Sequence, residues 1–526
     1  MGSLPTLSLR DVETAKACVA VFGFLWLLAP LLARRWFQGR ASRRRGWDAG
    51  LAALGLAALA CWTNLGQFNF PGFGHPSETF HYFMGAKYFP EVGHSRLYRC
   101  VALAEAEGGR AAEPAGRRVR DLETQRLVPL RAVLAEPDVC SRHFTPERWQ
   151  AFRADVAWFR DRPTPRSWRR MLTDHGYNAT PVWTLFGGLL AGRVPASDAS
   201  IAMLRALDPA LLVLGFGTAA WAFGWRTLCV ALLFFGTNYP AQFGWVGGGI
   251  LRQLELAAML IGISLLARQR AALGGGFLAT AALVRLYPGI ALLAPALQVG
   301  GEWLRGEGWR LGRQTRRFVL GGLAAALLLL GGAAVHSGVA AWPEFAENSR
   351  TLLDTPIRND TGLRTFLSWH PDRTARQLVD RTLDDPYQRW KEARRATFAE
   401  RRALFLILAA GFVTLLALAV QRQPLWVAVV LGVGLVPVTA ELAGYYSAIL
   451  AVFALLWSRF PWVGAGLVGL SAAGWGLVEC FHFFDSTLSW IGLAAALFAL
   501  FATLHVYWTG PVADPTPSTE PAPGEG

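Results

Sequence analysis

Apolar and polar positions divide the 526-residue chain into thirteen apolar runs, separated by polar stretches of very unequal length. The runs lie near 17–33, 48–66, 206–224, 227–243, 248–266, 271–285, 287–300, 318–338, 403–420, 424–440, 443–457, 461–479 and 488–508. Many reach the ~20 residues that cross a bilayer. The pattern predicts an all-α polytopic membrane protein with about 13 transmembrane helices. Its natural divisions are N-terminal spans (1–66), a large polar loop (67–205), central spans (206–338), a second polar loop (339–402), C-terminal spans (403–510) and a tail (511–526). The pair at 271–300 is short, and Pro288 is expected to break it into two limbs meeting near Arg285. Rich in Pro, Thr and Glu, the tail is expected to be disordered.

Charge sets the orientation. Arginines in the short loops at 34–45, 226, 268–270, 301–317, 422 and 459 fall on one side under this alternation. The positive-inside rule makes that side cytoplasmic and places both long loops outside, since long loops translocate largely regardless of charge. RRALF (401–405) is a local exception. The expected setting is a bacterial plasma membrane with the site facing outside. No cleavable signal peptide is expected: Arg10, Asp11, Glu13 and Lys16 precede the first run and no small-residue cleavage site follows it.

Within the large loop, Pro146–Arg170 reads as a basic amphipathic helix. The apolar stretch 178–192 is too short to span and reads as interfacial or re-entrant. Asn178-Ala179-Thr180 matches a glycosylation pattern that is common by chance. No internal repeat or inverted pair of halves is visible, which weighs against a secondary transporter.

Composition agrees with the membrane reading. The chain is 53% hydrophobic and 17% charged, against about 25% charged for a soluble protein. The net charge of +14 is almost all arginine; Lys16, Lys87 and Lys391 are the lysines. These arginines are spread over loops rather than gathered with aromatics, which excludes nucleic acid as the natural partner. Of six cysteines, Cys100 and Cys140 share the large loop and would pair in an oxidising compartment. No CxxC or HExxH motif supports a metal site. His75, His81 and His94 have spacings that match no metal motif, so no cofactor is expected.

The chemistry gathers where spans end. The stretch 74–98, GHPSETFHYFMGAKYFPEVGHSRLY, follows the second run with an early carboxylate, Glu78, and many aromatic rings. Arg252 and Glu255, Arg285, His336, Glu441 with Tyr445 and Tyr446, and Glu479 with His482 mark the same side. Each alone is a helix end meeting water. Together, in a chain where ionisable groups are costly, they predict a polar cavity at one membrane surface.

Four stretches carry a family resemblance. Glu78-Thr-Phe-His81-Tyr82, with Ala86, Gly93 and Leu97-Tyr98, resembles the acid-aromatic loop motif of GT-C glycosyltransferases. ATPVWTLFGGLL (179–190) resembles the short interfacial helix behind that loop. GGGILRQLELAAML (247–260) resembles a span bearing a Gly-Gln pair, here Gly-Ile-Leu-Arg-Gln. ATAALVRLYPGIALLAPAL (279–297) resembles a helix pair with a basic residue before a proline, often Lys and here Arg285. The nearest branch is that of polyprenyl-phosphate-mannose-dependent mannosyltransferases (family 87-like). The motifs are short and degenerate; the broader likeness is one of topology. This chain departs in using Glu rather than the commoner Asp, and in an extra first span.

The resemblance implies an inverting transfer of a sugar from a polyprenyl-phosphate donor to a glycan, lipid or protein acceptor. Glu78 would act as general base. Arg285 first, then Arg252, would hold the donor phosphate. His81, Tyr82, Tyr88, Asn359, Asp360, Glu441 and Tyr445 are candidates for sugar or acceptor contact. Phe83, Phe89 and Tyr98 could join the aromatics that stack on sugar, against plain packing for each. Asp174 is a secondary acid candidate. Two other readings stand beside this one: a transporter, flippase or polymerase of lipid-linked glycans, and a non-catalytic membrane scaffold.

Overall fold

The computed structural model describes residues 7–33, 41–70, 72–110, 117–306, 311–481 and 483–511. The expectations for His482, for part of the 34–45 and 301–317 loops and for the tail beyond 511 fall outside these residues. Helix dominates, with only two short two-stranded sheets among the described residues. Six helices are long and apolar enough to cross a membrane: Leu9–Leu32, Asp198–Phe223, Arg313–Ser337, Gln388–Ala419, Pro461–Cys480 and Phe484–Thr509. The fold is that of an all-α membrane protein.

Helices also occupy other apolar runs: Ala41–Trp62, of 22 residues, and the shorter Trp225–Thr237, Leu254–Ala267, Ala271–Val284 and Leu425–Gly432 with Leu435–Thr439. Their ends follow local chemistry. The first helix starts eight residues before its apolar run because Ser8 and Asp11 form a reciprocal cap. Lys16, buried in that helix, donates to Asn64 Oδ1 (2.5 Å) and Gln242 Oε1 (2.8 Å), tying three parts of the chain together. The expected break near Pro288 falls at Arg285, whose backbone is extended (φ −142°, ψ 129°). Pro288 itself sits in the first turn of Leu286–Gly289, where a missing N–H costs little.

RRALF lies inside Gln388–Ala419, a 32-residue helix that continues from the second polar loop into an apolar run. Arg401 donates to the carbonyls of Leu367 (3.3 Å) and Trp369 (3.2 Å). About two turns earlier, Arg394 donates to Thr365 O (2.7 Å). Gly444–Leu456 is a 13-residue 3₁₀ helix. At ~2.0 Å per residue it reaches about 26 Å, further than an α-helix of the same length.

Two apolar cores organise the chain. One runs through the bundle, with Leu27, Phe234, Leu260, Val429, Phe453 and Phe498 among its members. The other belongs to the 67–205 region, around Phe80, Tyr98, Phe152, Trp168 and Trp183. That region is a folded unit. It contains helices Pro76–Lys87, Leu97–Glu105, Pro146–Arg160, Pro165–Met171 and Pro181–Ala191, and a hairpin of Arg118–Asp121 against Arg126–Pro129. The amphipathic stretch 146–170 is thus two helices, split at 161–164. Cys100 and Cys140 are bonded, closing 40 residues of chain. In the bundle, Ala271–Val284 and Arg313–Ser337 approach through Gly275 and Gly321, where an added Cβ would meet the facing backbone.

Candidate functional site

The site is assembled from the first turn of Pro76–Lys87 outward. His75 caps this helix: its ring Nδ1 accepts the Glu78 backbone N–H (3.2 Å), and Pro76 occupies the first turn. Burial holds the His75 ring below the usual imidazole range, so it is neutral and free to accept. The His75 N–H donates to Gly248 O (3.0 Å), fixing the helix start on the 247–253 segment. Gly248 adopts φ +73°, and a Cβ there would strike the Phe73 carbonyl. Only glycine lets the two backbones meet so closely.

That contact sets Glu78 beside Arg252. The Glu78 carboxylate lies 3.5 Å from Arg252 Nη1, with side-chain exposures of 18% and 3%. Glu78 and Tyr82 are four residues apart and share a helix face. The Tyr82 hydroxyl accepts from Arg285 Nη2 (2.6 Å) and Arg252 Nη1 (3.3 Å), and donates to Asn178 Oδ1 (3.3 Å). Burial pushes the Tyr82 phenol up to about 12, against the pull of both guanidinium groups, so it stays neutral.

Aromatic rings close the site. The Arg252 guanidinium lies 4.4 Å from the Tyr445 ring and 5.2 Å from Tyr446. Arg285 lies 5.2 Å from Tyr82 and 5.8 Å from Tyr446. The 3₁₀ helix that begins at Gly444 presents both tyrosines, and Tyr446 packs on Tyr287 (4.8 Å). Behind them, Thr180 caps Pro181–Ala191 and donates to Leu283 O (2.7 Å), so this short helix holds the chain just before Arg285. Trp183 Nε1 donates to Leu251 O (3.3 Å), bracing the chain just before Arg252.

Several buried polar atoms here have no hydrogen-bond partner: Glu78 Oε2, Arg252 Nη2, Arg285 Nε and Glu255 Oε2. Buried polar groups are normally paired. Among the described residues, Glu78 is the one carboxylate within 4.0 Å of either guanidinium. Glu255, further off, also faces both arginines electrostatically, so the cluster sets two carboxylates against two guanidinium groups and holds donors and acceptors in reserve.

The expected residues divide into three groups. Glu78, Tyr82, Arg252, Arg285 and Tyr445 meet, as above. Asp360, Glu441 and Asn359 form an adjoining group. Asp360–Thr361 pairs with Leu442–Ala443 and the Asn359 carbonyl accepts from Gly444 N (2.6 Å), next to Tyr445. Glu441 accepts from Thr365 Oγ1 (3.0 Å) and pairs with Arg364 (3.1 Å). Burial and the nearby Glu441 charge push Asp360 up to about 8.

The third group is not at the site. His81 is buried, its Nε2 bonded to the Tyr98 hydroxyl (2.6 Å). Tyr88 is fully buried, donates to Asp155 Oδ2 (2.8 Å) and lies under the Arg148 guanidinium (4.5 Å). Phe83, Phe89 and Tyr98 are buried in the same core. The expectation that these side chains contact sugar is corrected: interior packing leaves no ring face for a ligand. Asp174 accepts the His175 backbone N–H (2.8 Å) beside His81 and Arg120. His94 bonds Ala179 O (3.0 Å).

Sequence reasoning passed over Asp208, Tyr287 and the structural role of Asn178. Asp208 is buried in Asp198–Phe223 and accepts from Gln253 N (3.1 Å), steadying the residue after Arg252. A carboxylate inside an apolar run was the available signal. None of the protein-family models, curated proteins or solved structures compared with the chain matches it.

Proposed function

We propose that the chain is an integral-membrane glycosyltransferase that moves a sugar, mannose or another hexose or pentose, from a polyprenyl-phosphate donor to an acceptor at the outer face of the membrane. The observation that carries this reading is the Glu78–Arg252–Arg285–Tyr82 cluster: two guanidinium groups faced by Glu78 and, further off, Glu255, with buried polar atoms on Glu78, Arg252 and Arg285 that make no hydrogen bond. The membrane reading with about 13 spans, and a GT-C-like placement of the acid early in the first large loop, support it.

The donor phosphate binds Arg252 and Arg285, whose free donors match its oxygens. Binding draws Arg252 from Glu78 and leaves that carboxylate free to take a proton. The acceptor hydroxyl attacks C1 of the sugar and passes its proton to Glu78. The bond from C1 to the phosphate oxygen breaks with inversion, and its electron pair leaves on the lipid phosphate. The two arginines stabilise the charge that grows there. Tyr82, kept neutral, sets the spacing of the guanidinium groups.

The test is transfer in membranes from polyprenyl-phosphate-[¹⁴C]mannose, then from the glucose and arabinose donors. Wild type is compared with Glu78→Gln and Arg285→Ala at matched expression. Transfer that collapses in both variants supports the reading. Transfer that survives Glu78→Gln removes that residue as base. Movement of intact lipid-linked glycan without transfer would favour a flippase.

A further inference from the structure

A second cationic site lies across the Asn359–Gly444 seam from Tyr445. It is a cavity of about 540 Å³ lined by Arg358, Arg376, Arg381, Tyr387, Phe483 and Asp485, among others. Its arginines are braced by rings: Arg358 lies 4.3 Å from the Tyr387 ring and Arg376 4.5 Å from Phe483. Their charge is not cancelled locally. Asp380 pairs with Arg389 (3.1 Å), Asp385 with Lys391 (2.6 Å), and Asp384 with Arg118. The one carboxylate in the wall, Asp485, is buried and spent on Ala375 N (2.9 Å) and Trp390 Nε1 (3.2 Å). Among the described residues, no carboxylate pairs with Arg358, Arg376 or Arg381. The cavity also adjoins the first cluster. Asn359, beside Arg358, gives its carbonyl to Gly444 N, and Tyr445 follows directly. A smaller pocket lined by Asn359, Tyr445 and Phe484 lies between the two.

We infer that this cavity is an anion subsite for the acceptor. It takes a phosphate or carboxylate group on the acceptor while the reacting hydroxyl reaches Glu78. Three forked guanidinium groups and flat aromatic walls suit an oxyanion carried on a sugar. This assignment rests on the transferase reading, but binding tests it without transfer.

The full chain in nanodiscs is titrated calorimetrically with inorganic pyrophosphate and, separately, with methyl glucuronate. The variants are Arg358→Gln/Arg376→Gln/Arg381→Gln, the single Arg376→Lys, and Arg285→Ala. Wild type should show saturable binding of at least one probe. The triple variant should lose about tenfold or more in affinity for one class of site. Arg376→Lys should retain most of it, and Arg285→Ala should leave that class intact. Pyrophosphate alone binding assigns a phosphorylated acceptor; methyl glucuronate alone assigns an acidic sugar. Binding that is absent, or unchanged in the triple variant, overturns the assignment. Binding with no transfer from any donor keeps the subsite and removes the transferase reading instead. Heat-induced unfolding and gel-filtration profiles check that the variants remain folded; Arg358, Arg376 and Arg381 are exposed, whereas Arg285 is buried.

Discussion

The helix Pro76–Lys87 carries two polar clusters, one at each end, and they are built on opposite principles. At its end lies a network of Lys87, Tyr88, Asp155, Glu91 and Arg148. Asp155 accepts from Lys87 Nζ (2.7 Å), the Tyr88 hydroxyl (2.8 Å) and Ala196 N (2.8 Å). Arg148 forks onto Glu91 (2.6 and 3.2 Å) and reaches Lys87 O (2.9 Å). None of these side chains holds a buried unpartnered atom. At its start, Glu78, Arg252 and Arg285 each hold one. A satisfied network fixes a fold; a network left short of partners costs stability and is retained where a ligand completes it. Charge in an apolar chain therefore does not identify a site. Unspent hydrogen-bonding capacity gathered on several facing charged groups does, since single orphaned atoms also occur elsewhere, as at His94 Nδ1 and Trp490 Nε1.

That contrast is open to attack. Glu78→Gln should lower transfer by about 10²–10⁴-fold while unfolding in detergent is unchanged or slightly improved. An equal fall in both would make the first cluster structural. Asp155→Ala should do the reverse. It strands Lys87 and should cost roughly 3–5 kcal/mol of stability, with turnover per folded molecule preserved, read by unfolding and by transfer normalised to folded protein.

Asp360 sharpens the comparison through pH. Its carboxyl is raised from an ordinary value of 3.8 to about 8 by burial and Glu441. Folding therefore retains a proton that the unfolded chain releases above about 4. This contribution is complete below pH 4, declines as pH rises, and reaches its floor above about pH 8. Midpoint temperatures at pH 5 and pH 8 should show a drop in wild type that Asp360→Asn reduces. The expected difference is on the order of a few kcal/mol. A pH dependence unchanged by the substitution would mean that Asp360 ionises normally in the fold.

Tyr82→Phe is the mildest of the four. It removes the oxygen that both guanidinium groups share. Transfer should fall by about 10–100-fold, the equivalent of a hydrogen bond to charged groups, with the aromatic contacts to Trp183 and Tyr177 retained. Full activity would show that the arginines are held by their backbone supports alone.

Much of the site was legible because ionisable groups at the ends of apolar runs are costly. Glu78, Arg252, Arg285 and Tyr445 stood out against such a background, and they meet. Tyr88 and His81 were misread because an aromatic-rich polar loop looks like a ligand surface. The loop instead folds on its own core, with Phe152 and Trp168 filling its interior. Asn359 and Asp360 stood out in one loop and Glu441 in another stretch; the fold brings the three together beside the first cluster.

The helical membrane class, the rough positions of the apolar helices and the residues whose charge needed an explanation were all readable along the chain. These follow from local composition and length, since a bilayer accepts few kinds of segment. Only the tertiary structure decided which charges share a partner. Tyr82 meets Arg252 across 170 residues and Arg285 across 203. It also decided which polar atoms stay unpaired. No local pattern encodes either choice, because both depend on how distant backbone segments, such as Gly248 against Phe73, come to rest on one another.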